Sequence, residues 1–79
     1  MPGIKYEISK EIGVISKRSG WEKKLCLVSW NNRPVKFDIR EWATEEDENG
    51  EIRMGKGITL SYDEMKAMFE LLKEELGEE

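Results

Sequence analysis

The sequence predicts an α+β fold: four antiparallel strands followed by one C-terminal helix. Three observations carry that reading. Up to Leu60, apolar residues alternate with polar ones or fall in short runs, separated by segments rich in Gly, Asn and Pro. After Leu60 the period changes, and Met65, Met68, Phe69, Leu72 and Leu76 recur at three- and four-residue steps. The joints between the β-like runs are short, which suits antiparallel neighbours. The 79 residues make a single domain, 1–79.

The first β-like segment, Ile4 to Ile8, puts Ile4, Tyr6 and Ile8 on one side, and Ile12 to Ser16 forms a second run. Together they read as one long bent strand, or as two short ones kinked near Gly13. Lys17-Arg18-Ser19-Gly20 has the composition of a turn. Trp21 to Trp30 is a strand whose faces are ambiguous, because Leu25, Cys26, Leu27 and Val28 are all apolar. A bulge, or burial on both sides, would account for that run. Asn31-Asn32-Arg33-Pro34 is a turn, since Asn tolerates left-handed backbone and Pro ends the pairing. Val35 to Trp42 alternates most clearly: Val35, Phe37 and Ile39 are expected to face a core, with Lys36, Asp38, Arg40 and Trp42 facing away. Glu45 to Gly50 is an acidic turn, and Ile52 to Leu60 is the last strand.

Ser61-Tyr62-Asp63-Glu64 then matches a capping box. The Ser61 hydroxyl can accept from the third helical amide while Glu64 reaches back to the cap. Gly77 suits the helix end.

Composition narrows the function. Charged residues make up 38% of the chain, so apolar material for a private core is thin, and dimerisation is the natural route to more buried area. The single cysteine, Cys26, reads as a small buried hydrophobe. With no histidine, no Gly-rich phosphate loop and no dinucleotide fingerprint, nothing converges on catalysis, and the expectation is a non-enzyme without a cofactor. The acids of 45–51 lack the ligand spacing of a calcium loop, so no metal is expected. No apolar stretch is long enough to span a membrane and the N-terminus lacks a secretory pattern, so a cytoplasmic location is the default.

The net charge of −4 conceals a segregation. Residues 1–44 sum to +4, while 45–53 and 54–79 each sum to −4. Basic charge therefore sits on the predicted strands, and a positive face can form on an acidic protein. Arg40 and Trp42 lie two residues apart on one side of a strand, and Lys56 sits between Gly55 and Gly57. Cations that track phosphates beside rings that stack on bases suit a single-stranded nucleic acid. Lys36, Lys23, Lys24, Lys17 and Arg18 are supporting cations, although strand alternation keeps Lys23 and Lys24 from the same side. Trp21 and Trp30 could each be stacking platforms or core. The bland readings are a cross-strand salt bridge for Arg40, edge packing for Trp42, and a solvated Lys56 in a glycine-shaped bulge.

The pair Asp38-Ile39-Arg40-Glu41 and Lys56-Gly57-Ile58-Thr59-Leu60, in this order ahead of a C-terminal helix, resembles the positive cofactor four (PC4) family of transcriptional coactivators. It looks closest to the bacterial YdbC-like branch, from about Trp21 to Leu76. The nuclear members carry two consecutive aromatics where this chain has Trp42-Ala43. The resemblance implies a curved sheet and a homodimer packed through its helices, with Met65, Met68, Phe69 and Leu72 in the interface. It also implies single-stranded DNA binding with little sequence preference, Arg40 and an aromatic after it on the strand, and a partner role with the transcription or repair machinery. The alternatives are a monomer with the helix on its own sheet, a protein-interaction module using the acidic helix and loop, and an RNA-binding domain.

Overall fold

Residues 5–77 are described by the computed structural model, so Ile4 of the first β-like segment lies outside the described residues. Four strands, β1 (Tyr6–Arg18), β2 (Trp21–Trp30), β3 (Lys36–Glu46) and β4 (Ile52–Leu60), form one sheet in the order β1-β2-β3-β4, each pair antiparallel. One helix, α1 (Tyr62–Leu76), follows directly. The α+β class and the element order are those expected.

β1 is a single strand, bent in three places. Its register against β2 slips between Ile8 and Lys10, between Glu11 and Gly13, and between Val14 and Ser16. At each slip β1 spends one residue more than its partner, the signature of a β-bulge, which bends the strand and sharpens its twist. The bend is therefore distributed along β1 rather than concentrated near Gly13. The register between β2 and β3 runs unbroken from Trp21 opposite Ala43 to Val28 opposite Lys36. The continuous apolar run in β2 thus needs no bulge against β3.

Two boundaries differ from expectation. Lys17 and Arg18 end β1 rather than forming a turn, and the chain reverses at Ser19–Gly20, where Gly20 adopts φ +77°. β3 begins at Lys36, not Val35, and runs on to Glu46, taking in two acids expected in the loop. The Asn31-Asn32 turn has both residues left-handed, φ 52° and 63°, with the Arg33 amide donating to the Trp30 carbonyl at 2.9 Å. This is the primed turn that suits the twist of a hairpin. Asp47 orders the acidic turn: its Oδ1 accepts from the amides of Glu51 (3.0 Å) and Asn49 (2.8 Å), and these bonds hold its carboxyl below the usual carboxylate range.

The buried face is the opposite of the one expected. Register places Cys26, Val28, Asp38 and Trp42 on one face, and these are the buried residues, 0–3% exposed. Phe37 and Ile39 are only half-buried on the other face, and Val35 is exposed ahead of the strand. Curl explains this reversal. Tyr6 is opposite Trp30 and Trp42 is opposite Glu22. The two partner positions are eight residues apart along β2, roughly 26 Å in a flat strand at about 3.3 Å per residue. Yet the rings of Tyr6 and Trp42 have centroids 5.5 Å apart. The sheet has rolled towards the Asp38–Trp42 face, making it the inner one.

The capping box forms as read: Ser61 Oγ accepts from the Glu64 amide at 3.1 Å, and Glu64 Oε1 accepts from the Ser61 amide at 2.8 Å. Gly77 is left-handed at the other end. Among the described residues α1 packs against β3 and β4, and a shallow groove there is lined by Phe37, Tyr62, Met65 and Phe69. No helix residue is buried, and Phe69 and Leu72 of the apolar stripe are exposed.

Candidate functional site

Arg40 is held by its own sheet along its edges and over one face. Its Nε and Nη2 donate to the two oxygens of Asp38 at 2.7 and 2.8 Å. The two residues share a face because they are two apart in β3. Asp38 is fully buried and also accepts from Thr59 Oγ1 at 3.1 Å, across the β3–β4 pairing. Arg40 Nη1 donates at longer range to the Gly55 carbonyl, 3.4 Å, and the guanidinium carbon stands 4.8 Å from the centre of the Trp30 ring. Arg40 is thus ion-paired as the bland reading has it, but with Asp38 of its own strand and not across strands.

Trp42 is a correction. The sequence places it as an exposed stacking ring, but it is 3% exposed. The curl that brings β1 over β3 lays Tyr6 across it. Trp30 is half-buried beneath Arg40 and packs against Tyr6 with centroids 5.7 Å apart. The indole N–H groups of Trp30 and Trp42 are buried and make no hydrogen bond among the described residues. The inner face therefore carries an aromatic cluster whose exposed ring is that of Tyr6, 37% exposed.

Gly57 lies directly opposite Arg40. A Cβ there would run into Arg40 Cβ and come within 2.5 Å of the Ile39 carbonyl oxygen. The glycine is demanded by this close approach and not by a left-handed backbone. Between Gly57 and Met54, opposite Trp42, the pairing is irregular, and Lys56 sits in that irregularity, exposed.

The remaining cations divide between the faces. Lys24 lies opposite Arg40 on the inner face and is paired with Glu11 at 3.1 Å and Glu22 at 3.7 Å. Lys36, exposed at the start of β3, is opposite Val28 on the same face. Lys23 is opposite Glu41, on the outer face. Arg18 grips Glu41 with two bonds of 2.7 Å, and this pairing holds the Glu41 carboxyl below its ordinary range. Lys17 is 3.6 Å from Glu22. Trp21, half-buried and opposite Ala43, is flanked by the guanidiniums of Arg18 and Arg53, each 5.7 Å from its ring centre. The structure thus brings Arg40, Trp42, Trp30, Lys24 and Lys36 to one face, and sets Trp21, Lys23 and Arg18 on the other.

Sequence reasoning missed Asp38 as the anchor of Arg40, Thr59 as its support, Gly57 as the space it needs, and Arg53 beside Trp21. Only the first had a signal: an acid two residues before an arginine in an alternating strand shares its face. The others depend on strand register.

A family model described as Transcriptional Coactivator p15 (PC4) matches residues 17–71. The chain belongs to the PC4 family. The span common to PC4 runs from the end of β1 into α1 and takes in Asp38, Arg40, Lys56, Gly57 and Thr59. Tyr6, which closes over Trp42, comes from the part of β1 that precedes the matched span. An uncharacterized protein of Treponema pallidum (strain Nichols) is 40% identical over 68 residues, covering 85% of this chain and 74% of that protein. Among the described residues of this PC4 chain, no group of three His, Cys, Asp or Glu could hold a metal ion. No described helix is long and apolar enough to cross a membrane.

Proposed function

We propose that this PC4-family protein is a non-enzymatic, cytoplasmic binder of single-stranded DNA with little sequence preference, acting in transcription regulation or in replication and repair. The observation that carries this reading is the cluster of Tyr6, Trp30 and Arg40 on the inner face, with Lys24 and Lys36 on the same face. Rings and a guanidinium plane meet unpaired bases, which all have π-faces. Lysines, including the exposed Lys56, meet phosphates, which carry no sequence. Tyr6, backed by Trp30, takes the stacking role that the sequence offered to Trp42. Most of the acidic residues lie beyond residue 44, while Glu11, Glu22 and Asp38, which share the inner face, are paired with Lys24 and Arg40.

Oligo-dT is expected to quench tryptophan fluorescence, since Trp30 lies in the site. Each neutralised phosphate of a single strand contributes a log–log salt slope of about −0.7, so four contacts would weaken binding roughly fiftyfold between about 50 and 200 mM salt. A gel shift with single-stranded DNA, duplex DNA and RNA of equal length at two salt concentrations tests the choice of ligand. Equal affinity for duplex DNA, or no quenching at low salt, would remove this reading; tighter binding to RNA would redirect it.

The functional unit in this proposal is a homodimer through α1. Met65, Met68, Phe69 and Leu72 form one stripe, and none is buried within the chain. Two copies would cover the stripe and set two sites on one particle, where a single long strand could bridge both. Phe69→Glu should shift the mass measured by light scattering from dimer to monomer. A wild-type protein that runs as a monomer at micromolar concentrations would contradict the dimer.

A further inference from the structure

The contacts of Arg40 restrict how it can meet a ligand, and we infer that it acts as a base-stacking plate, not as a phosphate clamp. The inference rests on the single-strand reading above and specifies one residue's part in it. A guanidinium has five N–H donors on its edges and two flat faces. The edge that suits a bidentate phosphate contact, Nε with Nη2, is filled by Asp38 at 2.7 and 2.8 Å. Nη1 points to Gly55 O at 3.4 Å and Met54 Sδ at 3.7 Å. One face lies against Trp30, 4.8 Å from the ring centre. What remains to an incoming group is the opposite face and one Nη2 N–H, too few donors for a two-point phosphate contact, on a side chain that is 15% exposed.

Asp38 does not give way to a phosphate. It is completely buried and held from its other side by Thr59. A phosphate that took the Arg40 edge would strand a buried carboxylate, a heavily penalised state. The exposed Lys56 and Lys36 offer phosphates their charge without that penalty. A base laid on the open face of Arg40 instead extends the Trp30–guanidinium stack by one layer and leaves every existing bond in place.

The decisive variant is Arg40→Lys, which keeps the charge beside Asp38 and removes the plane. Wild type and variant are titrated with oligo-dT and with an abasic deoxyribose-phosphate strand of equal length. The variant should bind oligo-dT about tenfold more weakly and the abasic strand as well as wild type does, following the usual worth of a stacked base. Undiminished oligo-dT binding by the variant, or an equal loss on both strands, overturns the inference. A wild-type measurement guards against misfolding of the variant. The Arg40 Nε–H resonance should move upfield, under the ring current of a base, with oligo-dT but not with the abasic strand; equal movement with both overturns it. If wild type binds neither strand, the single-strand reading itself fails, and the role of Arg40 with it.

Discussion

Replacing Asp38 with alanine is expected to destabilise the protein by about 3–5 kcal/mol, the usual loss when one partner of a buried ion pair is removed. A chain of 79 residues has roughly 4–12 kcal/mol in total, so this one change should remove at least about a quarter of the stability. The reason is specific. Asp38 is 0% exposed, its two oxygens take the Nε and Nη2 donors of Arg40, and Thr59 Oγ1 completes its bonding. The alanine would leave a largely enclosed guanidinium without its counter-charge and open a cavity beside Cys26, its neighbour across the β2–β3 pairing. Urea unfolding followed by circular dichroism measures the loss. A change below about 1 kcal/mol, the range of a surface pair, would show that the Asp38–Arg40 bond is not a structural anchor.

Gly57→Ala should be nearly as damaging, about 3 kcal/mol, at the upper end of what overpacking ordinarily costs. The added methyl would meet Arg40 Cβ, Arg40 Nε at 2.9 Å and the Ile39 carbonyl oxygen at 2.5 Å, and two of these belong to or adjoin the backbone of β3 and cannot swing aside. Relief requires β3 and β4 to part, or Arg40 to leave Asp38 and Trp30, so binding to oligo-dT should fall together with stability. Gly55 supplies the control. The atoms nearest a Cβ there belong to Glu41 and Trp21 at 3.5–3.7 Å, ordinary contact distances, so Gly55→Ala should change stability by less than about 1 kcal/mol. Thermal melts of the two variants side by side decide the matter. Equal melting temperatures would mean that the close approach of Gly57 to Arg40 carries no energetic weight.

The two variants probe features that differ in how visible they are from the sequence. The pairing of Asp38 with Arg40 follows from alternation, because residues two apart in a strand share a face. That it would be buried does not follow, since an Asp and an Arg in an alternating strand normally mark the solvent side. Gly57 could be read only as a shaper of some turn or bulge until the register set it opposite Arg40. Lys23 and Lys24 behave likewise. Alternation separates them, but the register against Glu41 and Arg40 is what assigns Lys24 to the inner face. Trp42 was the residue most exposed to error, because a tryptophan in a strand is equally suited to a core and to a binding surface.

Local chemistry sufficed for much of the molecule. The strand order, the Asn31-Asn32 reversal, the Ser61–Glu64 capping box, the left-handed Gly77 and the buried Cys26 all follow from residues within a few positions of one another. The choice of inner face belongs to the tertiary structure. Alternation divides a strand into two sides without saying which way its sheet will roll. Here three bulges bend β1 and bring Tyr6 onto Trp42, a contact between residues 36 positions apart that no local pattern encodes.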